Sequence, residues 1–215
     1  LFHLVREALP SICSYYPTPQ VPTEREWHGY TVVNRTFSEA ALAMDSASCW
    51  IHDYQLGLVP QLLRIGGFGG HIGFFLHTPF PNLDCAAPFL TEDASTYLAE
   101  WIRSVLGADL VGFQTHADVH RFSEAAERLC DTQPVQGGAR VDGRFVQIAA
   151  FPVGIDTNAV ATAARSAEVP DNLIGRDKTL PLVVSLERAD YTKGIPERLT
   201  VLRKALEQGI RFEYV

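Results

Sequence analysis

Short apolar segments typical of β-strands alternate along this chain with amphipathic segments typical of α-helices. The apolar segments have the length of buried strands, roughly four to eight residues, and they lie at 48–51, 71–77, 109–113 and 180–187. Helical spacing of apolar side chains predicts α-helices at 54–64, 93–106, 116–130, 161–167 and 195–209. Strands that alternate with helices form βαβ units, whose parallel sheet is covered on both faces. The predicted fold class is therefore α/β.

Composition excludes several classes of protein. The 215 residues are 47% hydrophobic and 20% charged, which is typical of a globular protein and excludes intrinsic disorder. A formal net charge of −7 argues against binding to nucleic acid or to an anionic membrane. No apolar stretch approaches the roughly 20 residues of a transmembrane helix. The cysteines form no CxxC pair, so we expect reduced thiols in a cytoplasmic protein; they are Cys13, Cys49, Cys85 and Cys130.

Further local signals in the sequence predict a hairpin turn and a domain linker. Asp142-Gly143 lies between two alternating runs and predicts a β-hairpin. Residues 1–45 favour helix around a proline-rich loop at 15–24, and the polar segment 168–181 indicates a domain linker. The chain opens in an apolar segment and closes on the strand-type run IRFEYV. We therefore expect an internal fragment of a longer protein.

Ligands of open α/β sheets bind beyond the carboxyl ends of the strands, and this rule selects Asp53 and His77. Asp53 follows the strand at 48–51, where its carboxylate either accepts hydrogen bonds from sugar hydroxyls or caps the next helix. His77 ends the strand at 71–77 and precedes Thr78-Pro79-Phe80-Pro81. Two prolines predict a rigid loop that holds His77 in place, which suits a site residue; the alternative is a buried core histidine.

Arg188 and Lys193 lie between the predicted strand at 180–187 and the helix that begins near residue 195. A helix N-terminus with two nearby cations is a suitable place for a phosphate. Arginine can hold phosphate oxygens with two hydrogen bonds, whereas lysine supplies a compact charge. The alternative is a solvated loop in which Arg188 pairs with Glu187, or Lys193 with Asp190.

Five segments together resemble the trehalose-6-phosphate synthases, which are retaining glycosyltransferases with the GT-B fold. In chain order they read WIHDYQLGLVPQLLR, IGFFLHTPFP, GADLVGFQTHADVHRF, FPVGID and SLERADYTKGIPERL. The resemblance implies two Rossmann-like domains with the active site in the cleft between them. Residues 1–170 would form the acceptor-side domain without its first strand. Residues 171–215 would begin the truncated nucleotide-sugar-binding domain, as its first βαβ part.

The resemblance also implies a reaction, the transfer of glucose from UDP-glucose to glucose 6-phosphate to give α,α-trehalose 6-phosphate and UDP. Asp53 would bind glucose 6-phosphate, His77 the donor sugar, and Arg188 and Lys193 the UDP diphosphate, all four acting in catalysis. The substrates would be the only small-molecule partners, with no cofactor and no metal ion. The sequence leaves open whether the full-length protein is a homo-oligomer.

Three features qualify this implication. The N-terminal glycine loop and the acidic ribose-binding motif of the family are missing, so we expect this chain alone to be inactive. Residues 82–96 do not resemble the family, and Ala189 stands where leucine is common. The alternatives are a glucosylglycerol-phosphate synthase or pseudo-glycosyltransferase of the same family, or a non-catalytic regulatory homologue that binds sugar phosphates.

Overall fold

The chain divides into two compact units, each with its own β-sheet. The structure is a computed structural model that describes residues 22–86, 92–168, 176–189 and 193–215. The first unit runs through Val153 and the second begins at Gly154. This division differs from the predicted domain boundary between residues 170 and 171. That boundary stays a prediction, because residues 169–175 lie outside the described ranges.

The first unit is built on a sheet in the order β1-β2-β3-β6-β5-β4. A short 3-10 helix, Tyr54–Leu56, lies between the first strand and the second helix. Its described elements are α1 (Glu24–Leu42), β1 (Ser48–His52), α2 (Val59–Ile65), β2 (His71–Leu76), α3 (Leu83–Ala86), α4 (Glu92–Val105), β3 (Leu110–Phe113), α5 (His116–Cys130), β4 (Gln133–Val135), β5 (Gly138–Val141) and β6 (Arg144–Ala150).

Parallel pairing joins β1, β2, β3 and β6, and antiparallel pairing joins β6, β5 and β4. The predicted hairpin is confirmed as β5–β6. Its turn residues Asp142 and Gly143 both have positive φ, 50° and 77°, as a two-residue type I′ turn requires. The sequence did not predict β4, whose Pro134 is tolerated because the strand lies at the sheet edge.

The core of the first unit lies on one face of the parallel sheet. Phe74 of β2 packs edge-on against Trp101 of α4 at 5.8 Å, and Phe113 of β3 packs against Phe122 of α5 at 5.1 Å. These rings belong to one buried cluster that also includes residues of α1 and α2. The sequence predicted helices on both faces. In the described part of this unit the long helices share one face, and Trp50 on the other is 71% exposed.

The second unit contains α6 (Thr157–Ser166), β7 (Leu182–Val183), α7 (Ile195–Glu207) and β8 (Glu213–Tyr214). The strands β7 and β8 pair in parallel. Within the predicted strand over 180–187 the structure has a strand at Leu182–Val183, and the hydrogen bond from the Ser185 N–H to the Val215 carbonyl at 2.8 Å extends the pairing. Gly209 follows α7 with a φ of 82°, a conformation that favours glycine after a helix end.

Two further predictions from the sequence concern membrane-spanning helices and the state of the cysteines. None of the described helices is long and apolar enough to cross a bilayer. Cys49 and Cys130 are free thiols, and burial raises the pKa of both. Cys13 and the side chain of Cys85 lie outside the description.

A buried hydroxyl ties α1 to the segment that follows β1. The Tyr30 hydroxyl donates to the Tyr54 carbonyl at 2.6 Å and accepts from the Gly57 N–H at 3.0 Å and from the Trp101 indole at 3.2 Å. Burial raises the pKa of this phenol, which is 1% exposed as a residue. One turn further on, Asn34 accepts from the Leu58 N–H at 3.0 Å. Helix α1 therefore holds the 3-10 segment in place.

The Tyr30→Phe variant should lower the free energy of unfolding by about 1–3 kcal/mol, because it removes three buried hydrogen bonds and leaves the Gly57 N–H and the Trp101 indole only their longer contacts to the Tyr54 carbonyl, at 3.3 and 3.4 Å. Chemical denaturation followed by fluorescence measures this change. Thr36→Ala is the matched control on the same helix. The Thr36 hydroxyl is exposed and bonds only within α1, so its loss should change the value by less than about 0.5 kcal/mol. Equal stabilities of the two variants would contradict this account of Tyr30.

Candidate active site

Asp53 and His77 lie beside each other because they follow neighbouring parallel strands. His52 of β1 pairs with Phe75 of β2, and the Asp53 N–H donates to the Phe75 carbonyl at 2.7 Å. Parallel strands end at the same edge of a sheet, and this edge is where α/β proteins bind ligands. The first unit therefore brings together two of the sequence-predicted site residues.

Asp53 has an unusual backbone conformation and an unsatisfied side-chain atom. Its φ of 67° and ψ of 171° lie in a region adopted almost only by glycine. The side chain makes no capping hydrogen bond to the following 3-10 helix, so the capping alternative is not observed. The buried Oδ1 has no hydrogen-bond partner among the described residues. Since buried polar atoms are normally paired, this unpaired oxygen marks Asp53 as a candidate site residue.

His77 is exposed, so the alternative of a buried core histidine is not observed. Its ring contacts Phe75 at a centroid distance of 4.8 Å. Its Nε2 lies 2.9 Å from Nδ1 of His52. The sequence assigned no role to His52. The signal in the sequence that could have found His52 is its position at the end of β1, directly before Asp53.

The loop after His77 is anchored to α5. The Phe80 N–H donates to Oδ1 of the buried Asp118 at 3.0 Å, and the Thr115 hydroxyl donates to the other carboxylate oxygen at 2.6 Å. The Phe80 ring is 1% exposed and packs edge-on against Phe122 at 5.2 Å. The loop is therefore held by packing and hydrogen bonds as well as by its prolines.

A groove of about 390 Å³ runs along the sheet face that carries the two histidines. Gly112 forms part of its floor, where a Cβ atom would lie 2.7 Å from the Phe75 ring. The groove is mostly aromatic, with imidazole nitrogens as its polar groups, and its lining includes Trp50, His52, Phe75, His77, Phe151 and Pro152. Aromatic walls with a few polar groups are typical of small-molecule sites.

Arg188 and Lys193 lie in the second unit, both with exposed side chains. Glu187 forms an ion pair with Arg198 of α7 instead of with Arg188. Hydrogen bonds from Ser185, and then from Arg198, lower the pKa of Glu187. The predicted Glu187–Arg188 alternative is therefore not observed. The other alternative involves Asp190, which lies outside the described residues.

Helix α7 begins without a side-chain cap among the described residues. Gly194 is its N-cap, with a φ of 61° and no side chain to accept from the first-turn N–H groups. Arg198 donates to the Lys193 carbonyl at 3.1 Å, and its own N–H donates to the Gly194 carbonyl at 2.9 Å. Glu197 is the acidic residue of the first turn. The sequence analysis missed Arg198, which both neutralises Glu187 and holds the Lys193 segment.

The described residues contain no cluster of three histidine, cysteine or acidic side chains that could hold a metal ion. The candidate site residues provide hydrogen-bonding and cationic groups. The first unit presents a carboxylate and an imidazole pair at one sheet edge. The second unit presents Lys193 directly before the N-cap of α7 and an exposed Arg188 in the segment after β7. Such groups bind hydroxyls and phosphates, respectively.

The backbone strain at Asp53 predicts a reversal of the usual order of glycine and alanine. Asp53→Gly should be more stable to unfolding than Asp53→Ala by about 1–2 kcal/mol, because only glycine adopts this conformation without strain. At Thr36 in α1, the glycine variant should instead be less stable than the alanine variant by about 1 kcal/mol. Chemical denaturation of the four variants checks both signs. An alanine variant as stable as glycine at position 53 would overturn the assignment of strain.

Comparisons with known proteins show the family of this chain. The sequence model of glycosyltransferase family 20 matches residues 13–213. The UDP-forming α,α-trehalose-phosphate synthase of Botryotinia fuckeliana is 32% identical over 203 residues, which cover 90% of this chain and 38% of that protein. The trehalose-6-phosphate synthase of Mycolicibacterium gilvum is 38% identical over 201 residues, which cover 85% of this chain and 38% of that protein.

The fold agrees as well. A solved structure described as trehalose-6-phosphate from E. coli bound with UDP-2-fluoro glucose superposes with a TM-score of 0.79 and 28% identity. The match covers 99% of this chain and 48% of that one. The mixed α/β fold with a mainly parallel sheet is thus confirmed. This chain spans about 38% of the length of both curated relatives, and it belongs to glycosyltransferase family 20.

Proposed function

We propose that the chain takes part in the transfer of glucose from UDP-glucose to glucose 6-phosphate, giving α,α-trehalose 6-phosphate and UDP. The observation that carries this proposal is the state of the two cations in the second unit. Neither Arg188 nor Lys193 has an ion-pair partner among the described residues: the neighbouring Glu187 is paired with Arg198, and Lys193 adds a longer-range charge interaction with Glu187. The names of the curated relatives, UDP-forming trehalose-phosphate synthases, support the reaction.

The donor is proposed to bind through its diphosphate. When the bond between the sugar and UDP breaks, negative charge develops on the leaving phosphate. Cations held in place before the reaction stabilise that charge more in the transition state than in the ground state. Arg188 can donate two parallel hydrogen bonds to phosphate oxygens, and Lys193 adds a point charge beside the start of α7. His77 is proposed to contact the glucosyl group along the groove.

The acceptor is proposed to bind at Asp53. Its buried Oδ1 lacks a protein donor among the described residues, so a hydroxyl of glucose 6-phosphate would complete its hydrogen bonding. In a front-face reaction the C1–O bond to UDP breaks as the bond to the acceptor oxygen forms on the same face. The acceptor proton passes to the leaving phosphate oxygen. The reaction then needs no protein nucleophile.

The Arg188→Ala variant of the full-length protein should lower kcat by about a hundredfold or more, because it removes one charge-stabilising group. Release of UDP in the presence of both substrates measures the rate. Arg203→Ala is the matched control, since Arg203 lies on exposed α7 surface and only approaches Glu207 at 3.9 Å. The control should keep the wild-type rate, and a near-wild-type rate for Arg188→Ala would sink the proposal for this residue.

The Asp53→Asn variant should act mainly on the acceptor. The neutral amide is a weaker acceptor of a hydroxyl hydrogen bond, so the KM for glucose 6-phosphate should rise about tenfold while the KM for UDP-glucose stays close to wild type. Initial rates at varied concentrations of each substrate separate the two. A change confined to UDP-glucose would assign Asp53 to the donor instead.

The choice of acceptor separates the proposed activity from its alternatives. UDP release only with glucose 6-phosphate supports a trehalose-6-phosphate synthase, and release only with glycerol 3-phosphate indicates glucosylglycerol-phosphate synthesis. A folded full-length protein that releases no UDP with either acceptor would favour a different donor or the non-catalytic role.

A further inference from the structure

Two imidazole rings meet where β1 and β2 end. Nδ1 of His52 lies 2.9 Å from Nε2 of His77, a hydrogen-bonding distance. The ring centroids are 5.2 Å apart and the ring planes differ by 26°. Strand pairing places them there, because His52 lies opposite Phe75 and His77 follows two residues later, on the same face of the sheet.

Aromatic neighbours hold both rings. Trp50 packs against His52 at a centroid distance of 4.6 Å, and Phe75 packs against His77 at 4.8 Å. The four side chains line the same groove. The pair is therefore part of the groove wall and its geometry does not depend on the hydrogen bond alone.

The hydrogen bond restricts what His77 can offer to a ligand. A neutral imidazole carries one N–H and one acceptor nitrogen. If Nδ1 of His52 donates, Nε2 of His77 accepts and the proton of His77 is on its Nδ1; in the reverse case, Nδ1 of His77 is the acceptor. His77 Nδ1 has no partner among the described residues. The tautomer of His52 thus decides whether this nitrogen donates or accepts.

We propose that His52 is a positioning residue for the donor sugar: it holds the His77 ring and couples the tautomer of His77 to its own, and so sets the hydrogen-bonding role in which Nδ1 meets a sugar hydroxyl. This inference rests on the proposed function, in which His77 contacts the glucosyl group. His52 itself touches no substrate in this account and acts only through His77.

Three substitutions separate the hydrogen bond from the packing. Asparagine places its amide close to the position of the histidine Nδ1, so His52→Asn should keep a partner for His77. Glutamine places its amide nearer to the position of Nε2. His52→Gln is therefore the polar control, whose amide is not placed to bond Nε2 of His77. His52→Phe keeps an aromatic ring against Trp50 and removes the nitrogen.

In the full-length protein, His52→Phe and His52→Gln should lower kcat/KM for UDP-glucose by about tenfold, the scale of one lost hydrogen bond. His52→Asn should stay within about threefold of wild type, and the KM for glucose 6-phosphate should be unchanged in all three. Equal losses in the asparagine and glutamine variants would overturn the proposal, since a merely structural role does not distinguish them.

Long-range ¹H–¹⁵N NMR of ¹⁵N-histidine-labelled protein without substrate gives a readout that needs no turnover. The His77 signals, assigned with a His77→Gln variant, should show a different ratio of the two tautomers in His52→Phe from that in wild type. An unchanged His77 tautomer in His52→Phe would overturn the proposal. If wild-type protein releases no UDP, the proposed function fails, while the tautomer measurement still decides whether His52 positions His77.

Discussion

Parallel pairing of β1 with β2 is the constraint on which the candidate site depends. The register sets His52 opposite Phe75, and the ladder extends one step further through the hydrogen bond from the Asp53 N–H to the Phe75 carbonyl. Because the side chains of a strand alternate between faces, a slip of one residue would move the His52 ring to the helix-covered face. This register therefore decides both the location of Asp53 and the meeting of the two histidines.

The helical face of the first unit keeps the loops of that edge in place. The Tyr30 hydroxyl binds the segment after Asp53, and Asp118 binds the loop after His77. Both contacts are buried, so a partner lost there cannot be replaced by water without cost. A strained backbone such as that of Asp53 persists only where its surroundings determine it, and these anchors supply the surroundings.

Charge is arranged differently in the second unit. Arg198 forms an ion pair with the carboxylate of Glu187, and the same guanidinium donates a hydrogen bond to the Lys193 carbonyl. Among the residues that the structure describes, neither Arg188 nor Lys193 then has an ion-pair partner. In the proposed reaction this matters most as UDP leaves, because an unpaired cation interacts with the developing charge more strongly than one already neutralised.

The sequence by itself determined the α/β class, the hairpin at Asp142-Gly143 and the places where Asp53, His77, Arg188 and Lys193 stand in the chain, because alternation of strands and helices and the turn dipeptide are local signals. It could not reveal the His52–His77 contact, the strain at Asp53 or the Glu187–Arg198 pair. Each of these joins residues or backbone groups whose positions depend on strand register and on helix packing. Only the tertiary structure decides those, because register and packing depend on contacts between segments that are separated in the chain.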